Sequence, residues 1–297
     1  MLAIGVDVGG SKASVGVVDT ADGRVVERLE VATPPVEETG DAFLNEVADA
    51  ARGLAARHGG SPIPVGIGIC ELVDIGGEIL SGHRVRWETS DVCRAFAFAK
   101  SVAIEADVRA AATAEAEFGA GAGLRHWIYA NAGTGIATVL MDGRTPYLGA
   151  HGRGVAMGMS LAELRPSGQV SPTVEDIAGG AGMLVRARKA GLTVARIAEL
   201  IDRANAHHET ERAILAEGGH VFGRALALLV NSLDPEAVVV GGGIAAAGAG
   251  YVAACREAFD SSVWYARDGV PALLPARFGS ESGLIGAALM GVRLDRR

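Results

Sequence analysis

The stretch Asp7-Val8-Gly9-Gly10-Ser11-Lys12 lies between two apolar runs, and its residue types suit the grip of a phosphate. Glycines let the backbone come close to an anion and turn N–H groups toward it. Asp7 is placed to reach Mg2+ through water, since magnesium keeps much of its hydration shell. An ordinary hairpin turn accounts for the same glycines. Gly133-Thr134-Gly135 closes a second apolar run, Trp127 to Asn131, in the same design. Each short glycine motif is weak alone, and two of them one lobe's length apart support each other. Gly241-Gly242-Gly243 follows Ala237 to Val240 and admits two readings. It lets an adenine and ribose lie against bare backbone, or, with Ala246, it fits the G-x-G-x-x-A dinucleotide fingerprint, which needs an acidic residue at the end of the following strand.

Positioning these turns requires strands that end in them. Met1 to Asp19 reads as a strand–turn–strand pair, with Asp19-Thr20-Ala21-Asp22-Gly23 turning the chain into a third antiparallel strand over Arg24 to Val31. Apolar residues at helical spacing (Phe43, Leu44, Val47, Ala50, Ala51, Leu54) predict a helix within Glu38 to His58, and Pro64 to Cys70 predicts a buried strand. The pattern beyond Asp107 is helical to Phe118. Ile136 to Tyr147, with Asp142-Gly143 as its turn, repeats the opening unit. Helices are expected over Ala181 to Ala204, Thr210 to Ser232 and Gly283 to Leu294. Two such openings predict an α/β protein with two ribonuclease H-like lobes and a central cleft. The boundary falls at the Gly-Ala-rich run after Glu115, giving lobes over 1–118 and 119–297, with the last helix able to pack back on the first lobe.

The chain has 297 residues, enough for two cores, and is 49% hydrophobic and 21% charged with 5% aromatic residues, so its cores are built from small aliphatic side chains. A net charge of −8 and no dense Lys/Arg stripe argue against nucleic acid as a partner. Cys70, Cys93 and Cys255 are widely spaced and show no pairing pattern for zinc or disulfides, which points to a reducing compartment. With no signal-like start and no uninterrupted apolar stretch of spanning length, the expectation is a cytoplasmic protein without a membrane partner.

IGVDVGGSK, GIGIC-ELVD, ADVRAAATAEAEFGAG, NAGTGIATVLMDGR, VVVGGG and GLIGAA, in this order across nearly the whole chain, resemble the ROK family of sugar kinases, within the actin/hexokinase-type ATPases. The resemblance implies ATP and Mg2+ as cofactors, a sugar-like small molecule as substrate and a homodimer. It aligns Asp107 with the catalytic aspartate, Asp7 and Gly9-Gly10 through Ser11 and Lys12 with the first phosphate motif, and Gly133-Thr134-Gly135 with the second. Asp107 would take the proton of the acceptor hydroxyl as it attacks the γ-phosphate. Its position also suits a helix N-cap, and the two roles are compatible.

The departures bear on the substrate. Ala106 stands where the family usually has Asn, and Ala156-Met157-Gly158-Met159 where it has Glu-x-Gly-His. Arg165 to Thr173 lacks the family's zinc-binding cysteines, so no zinc is expected. Glu175 corresponds to the glutamate that follows that loop, or is an acid of a first helical turn. His83, Arg84 and Arg86 lie where a sugar-contacting asparagine is expected, and His151 is a further candidate; a solvated loop is the alternative. Losing buried hydrogen-bonding groups weakens discrimination for the hydroxyls they read. The expected acceptor is therefore an amino sugar, C7-cyclitol or modified sugar of the kind used in secondary metabolism, with an ordinary hexose or N-acyl-hexosamine as the alternative. A non-catalytic ligand-binding regulator is the rival class; such relatives carry a DNA-binding region ahead of the first strand, and this sequence starts at that strand.

Overall fold

The computed structural model describes residues 1–58, 62–163, 166, 169–264 and 269–295. In chain order the elements are β1 (Leu2–Val8), β2 (Lys12–Asp19), β3 (Arg24–Ala32), α1 (Asp41–Arg57), β4 (Pro64–Ile69), α2 (Thr89–Ala95), β5 (Ser101–Ala106) and α3 (Asp107–Phe118). They continue with β6 (His126–Ala132), β7 (Ile136–Asp142), β8 (Thr145–Pro146), α4 (Val174–Ala178), α5 (Gly180–Lys189), α6 (Ile197–Asn205) and α7 (Glu209–Leu233). The last are β9 (Ala237–Gly241), α8 (Gly243–Ala247), α9 (Ala249–Ser262), β10 (Ala272–Pro275) and α10 (Ser282–Asp295). Contacts divide the chain into two compact units, one of residues 1–123, 143–154 and 281–297, the other of 124–142 and 155–280. The division is thus not a single cut after residue 118: the short β8 segment and α10 belong with the first unit.

The first unit holds a sheet in the order β3-β2-β1-β4-β5, with β2 antiparallel to both neighbours and β1, β4 and β5 mutually parallel. Ile4, Val6 and Val8 of β1 and Val65, Ile67 and Ile69 of β4 are buried, as expected of strands covered on both faces. α1 lays Phe43, Leu44, Val47, Ala51 and Leu54 into this core, and Phe43 meets Trp87 at 5.4 Å between ring centroids. α10 approaches the sheet so closely that a Cβ on Gly5 would lie 2.1 Å from the Leu284 carbonyl oxygen, and one on Gly66 1.7 Å from that of Ala287. Only glycine admits that contact.

The second unit repeats the arrangement, with β7 antiparallel to β6 and β6, β9 and β10 parallel. Its core gathers Ile128, Met183, Phe222, Leu226, Val238 and Phe259. α7 is long and apolar enough to cross a membrane by length and composition, yet 56% of its most apolar window is buried in this core. Two sequence expectations need correction. The helix expected over 181–204 is two helices, α5 and α6, parted by Gly191 at φ 80°, a left-handed conformation that favours glycine. The strand after Asp142-Gly143 shrinks to the two residues of β8.

Candidate functional site

Both aspartates of the first unit sit at the carboxyl ends of parallel strands, where open α/β sheets bind ligands. Asp7 is the penultimate residue of β1, and Asp107 follows β5 directly as the first residue of α3. Between them β4 presents Gly68, where a Cβ would stand 3.5 Å from the Asp107 Cα. Asp107 Oδ1 accepts the Val108 N–H at 2.7 Å, so the carboxylate does serve the helix start. Burial pushes the Asp107 carboxyl up to about 6; the Val108 hydrogen bond opposes this, the Glu71 charge adds to it and Arg109 again opposes it. Burial, followed by the charge of Asp107, carries Asp7 to about 7 against a weaker pull from Lys12. Burial thus disfavours the charged form of both acids, and the charge of Asp107 does so further for Asp7.

The first glycine turn is tightly held. The Gly9 N–H donates to the Lys12 carbonyl at 3.0 Å, and Thr33 gives its hydroxyl to Gly9 O at 2.9 Å and its N–H to Ser11 O at 3.1 Å. Lys12 Nζ turns outward to Glu30 at 2.5 Å. Arg84 comes in instead: its Nε donates to the Gly10 carbonyl at 2.7 Å and its Nη2 to the same oxygen. The loop carrying Arg84 hangs on Glu71, a 6% exposed carboxylate that accepts the Ser81 hydroxyl and the N–H groups of His83 (3.0 Å), Arg84 (2.5 Å) and Val85 (2.7 Å). His83 reaches this network through its backbone, while its side chain is exposed.

Arg109, two residues past Asp107, is buried and pairs with Glu105 of β5. Its Nη1 donates to Gly152 O at 2.8 Å and its Nη2 to Val73 O at 2.6 Å, tying the 73 and 152 loops to the start of α3. His151 sits exposed on the second of these loops. Neither Glu71 nor Arg109 was singled out from the sequence.

In the second unit the remaining candidates converge on the end of β6. Gly133 O accepts the Gly180 N–H at 2.9 Å and Thr134 O the Ala181 N–H at 3.0 Å, so the first turn of α5 braces the turn. Glu175 Oε2 accepts the Ile136 N–H at 2.7 Å and lies 2.4 Å from where a Cβ on Gly135 would be. Gly158, within Ala156-Met157-Gly158-Met159, packs on Ile136 from its carbonyl side, with a virtual Cβ 2.2 Å from the oxygen. Met159 is 59% exposed and Ala156 is exposed. Gly242, at φ 96°, packs against the Ala132 carbonyl, which brings Gly241-Gly242-Gly243 beside Gly133-Thr134-Gly135. The dinucleotide fingerprint has a parallel strand after it, but β10 ends at Pro275, followed by Ala276 and Arg277, without the acid such sites use.

No group of three or more His, Cys, Asp or Glu side chains poised for a metal occurs among the described residues. Part of the segment aligned with the family's zinc loop, residues 165 and 167–168, lies outside them. Asp7 suits Mg2+ all the same, because that ion binds through one or two carboxylates and fills its shell with water and phosphate oxygens.

Fold and site define an α/β protein of two ribonuclease H-like lobes, of the actin/hexokinase type. The ROK family profile matches residues 3–293, and the chain belongs to the ROK family. It is 28% identical to a glucokinase of Streptomyces coelicolor over 97% of this chain and 96% of that protein. It superposes on a ROK family glucokinase from Streptomyces griseus, crystallised with glucose and AMPPNP, with a TM-score of 0.84 at 26% identity, covering 99% of this chain and 100% of that one. A transcriptional regulator of Mycobacterium bovis is 29% identical over 80% of this chain and 58% of its own length.

Proposed function

We propose that this chain is an ATP-dependent kinase that phosphorylates a hydroxyl of a sugar-like small molecule, an amino sugar, C7-cyclitol or modified sugar in preference to plain glucose. The observation that carries the reading is Asp107 at the carboxyl end of β5, its carboxyl raised to about 6 and set near Asp7. A base with a pKa just below neutral is ionised at working pH and still strong enough to accept a proton.

In this reading Asp107 takes the proton of the acceptor hydroxyl as the oxygen attacks the γ-phosphorus in line. Arg109 fixes the start of α3, and with it the carboxylate, through its fork to Glu105, Val73 and Gly152. The Gly9-Gly10 turn and the Gly133-Thr134-Gly135 turn, each braced by hydrogen bonds, serve phosphate oxygens, and Gly241-Gly242-Gly243 serves the adenosine. Mg2+, held through water by Asp7, would neutralise phosphate charge. Glu175, which meets the Ala156 to Met159 segment at Ile136, is a candidate for the acceptor; the family alignment offers His83, Arg84 and His151 of the first unit as further candidates. The lobes follow the contacts: residues 1–123, 143–154 and 281–297 carry Asp7 and Asp107, and residues 124–142 and 155–280 carry Gly133-Thr134-Gly135 and Gly241-Gly242-Gly243. The net charge of −8 supports a small anionic nucleotide held locally over any nucleic acid partner. The family resemblance supports a cytoplasmic homodimer.

The similarity to a regulator favours one second reading, a ligand binder without turnover. ADP release measured across sugars, amino sugars and cyclitols, with Asp107→Asn as the control, separates the two. Turnover that falls on the order of 10²–10⁴-fold in the variant, with ADP binding retained, is expected of the kinase. Nucleotide-independent ligand binding with no turnover would favour the regulator.

A further inference from the structure

We infer that Arg84 is a positioning residue for the nucleotide phosphates, acting through the Gly10 carbonyl; the inference rests on the kinase reading above. In the alignment by residue type Arg84 falls on the acceptor side, and Lys12 is the cation of the phosphate motif. The side chains are disposed otherwise. Lys12 spends its ammonium on Glu30, across the β2–β3 hairpin. Arg84 reaches 74 residues back along the chain to put two donors on Gly10 O.

Why Arg84 must extend this way follows from Glu71. That carboxylate already takes four donors, the Ser81 hydroxyl and three successive backbone N–H groups, which uses the acceptor capacity of its two oxygens. It can hold the Arg84 backbone but not the Arg84 guanidinium, whose planar fork reaches the Gly10 carbonyl instead. The effect on the turn is directional. A trans peptide points its C=O and the following N–H to opposite sides, so an arginine fixed on the Gly10 oxygen sets the plane of the Gly10–Ser11 peptide. Consecutive glycines have broad φ/ψ freedom; Thr33 holds the turn at Gly9 O and Ser11 O, and Arg84 adds the hold on the Gly10 carbonyl between them. The guanidinium also adds positive charge at the turn itself, where an anion will sit. Loop 81–86, rigid through Glu71, is thereby joined to the nucleotide side of the site.

Arg84→Met tests this, since it keeps the aliphatic stem, removes the donors and leaves every Glu71 bond in place; a thermal melt checks that it folds like the parent. Calorimetry with Mg·ADP and with adenosine reads the phosphate contribution separately. The expected result is a loss of about tenfold or more for Mg·ADP, the size of a charge-assisted hydrogen bond, with adenosine unchanged. Arg84→Lys should recover part of it with a single donor. Equal weakening of adenosine and Mg·ADP would reduce Arg84 to a general structural role and overturn the inference. So would unchanged Mg·ADP affinity in Arg84→Met. If the parent protein itself binds neither Mg·ADP nor adenosine, the kinase reading fails first and takes this one with it.

Discussion

Gly283, in the first turn of α10, packs against the Asp7 carboxylate: a Cβ there would lie 2.5 Å from Asp7 Oδ2 and 2.7 Å from Oδ1. The helix thus forms a wall behind the acid proposed to hold Mg2+. Gly283→Ala should push the carboxylate aside, because a short side chain anchored in a strand has little room to yield. The expected outcome is a higher Mg2+ requirement, with the KM for Mg2+ up about tenfold and a loss of stability of about 1–3 kcal/mol. A Mg2+ titration of activity together with a melt checks it, and an unchanged Mg2+ dependence would remove Asp7 from the metal site.

Asp107 predicts a pH effect whose sign can be worked out. Burial raises both Asp107 and Asp7, to about 6 and about 7, so the folded protein binds more protons than the unfolded chain between roughly pH 4 and 7. Stability in metal-free buffer should therefore fall as pH rises through that window. Asp107→Asn removes one of these charges and still offers Val108 an acceptor. It should melt above the parent at pH 7.5, by about 1–3 kcal/mol, with the gap narrowing toward pH 4. Activity should fall in the opposite direction, below about pH 6, as Asp107 takes up its proton.

Acceptor choice follows from Ala106, Ala156 and Met159. Each neutral hydrogen bond absent from an acceptor hydroxyl is worth roughly 0.5–1.5 kcal/mol, and three together lower kcat/KM by a factor of tens to thousands. Glucose and N-acetylglucosamine should accordingly rank below a cyclitol or amino sugar that offers a primary hydroxyl. A panel of coupled ADP-release assays gives the ranking. Glucose at its head with a micromolar KM would show that His83, His151 or Glu175 has replaced the lost contacts.

What the sequence made legible was local. The Gly-Gly turn between two apolar runs, the Asp-Gly turn and the spacing Phe43, Leu44, Val47, Leu54 fix neighbours along the chain, and β1 to β3 and α1 stand where those signals put them. Asp107 was visible because a motif carried it. Glu71 was not, since an acid beside a strand carries no local sign that it will gather a hydroxyl and three amides from ten to fourteen residues downstream. Arg109 hides for the same reason: its partners Val73 and Gly152 lie on loops far off in sequence. Lys12 misleads in the other direction, because its residue type fits the phosphate motif while the pleat and Glu30 decide where its ammonium goes. Gly191 carries a helix-stop signal in the sequence, and α5 ends just before it.

The placement of α10 sets an order of events during synthesis. Leu284, Ala287 and Gly291 fill the space over Gly5 and Gly66, and Gly286 comes within 1.7 Å, by its virtual Cβ, of the Ala110 carbonyl oxygen on α3. The sheet built from β1 to β5 is complete in covalent terms by residue 106, and α3 follows to cover Gly68, yet the part of that face over Gly5 and Gly66 has no cover until α10 leaves the ribosome. At about 5–20 residues per second the nascent chain spends on the order of ten seconds or more with that part of the face bare. The second unit, continuous from 155 to 280, has its own core by then. The half of the molecule made first is thus the half finished last, and overproduction without a chaperone to shield that face should send the chain into aggregates through β1, β4 and β5.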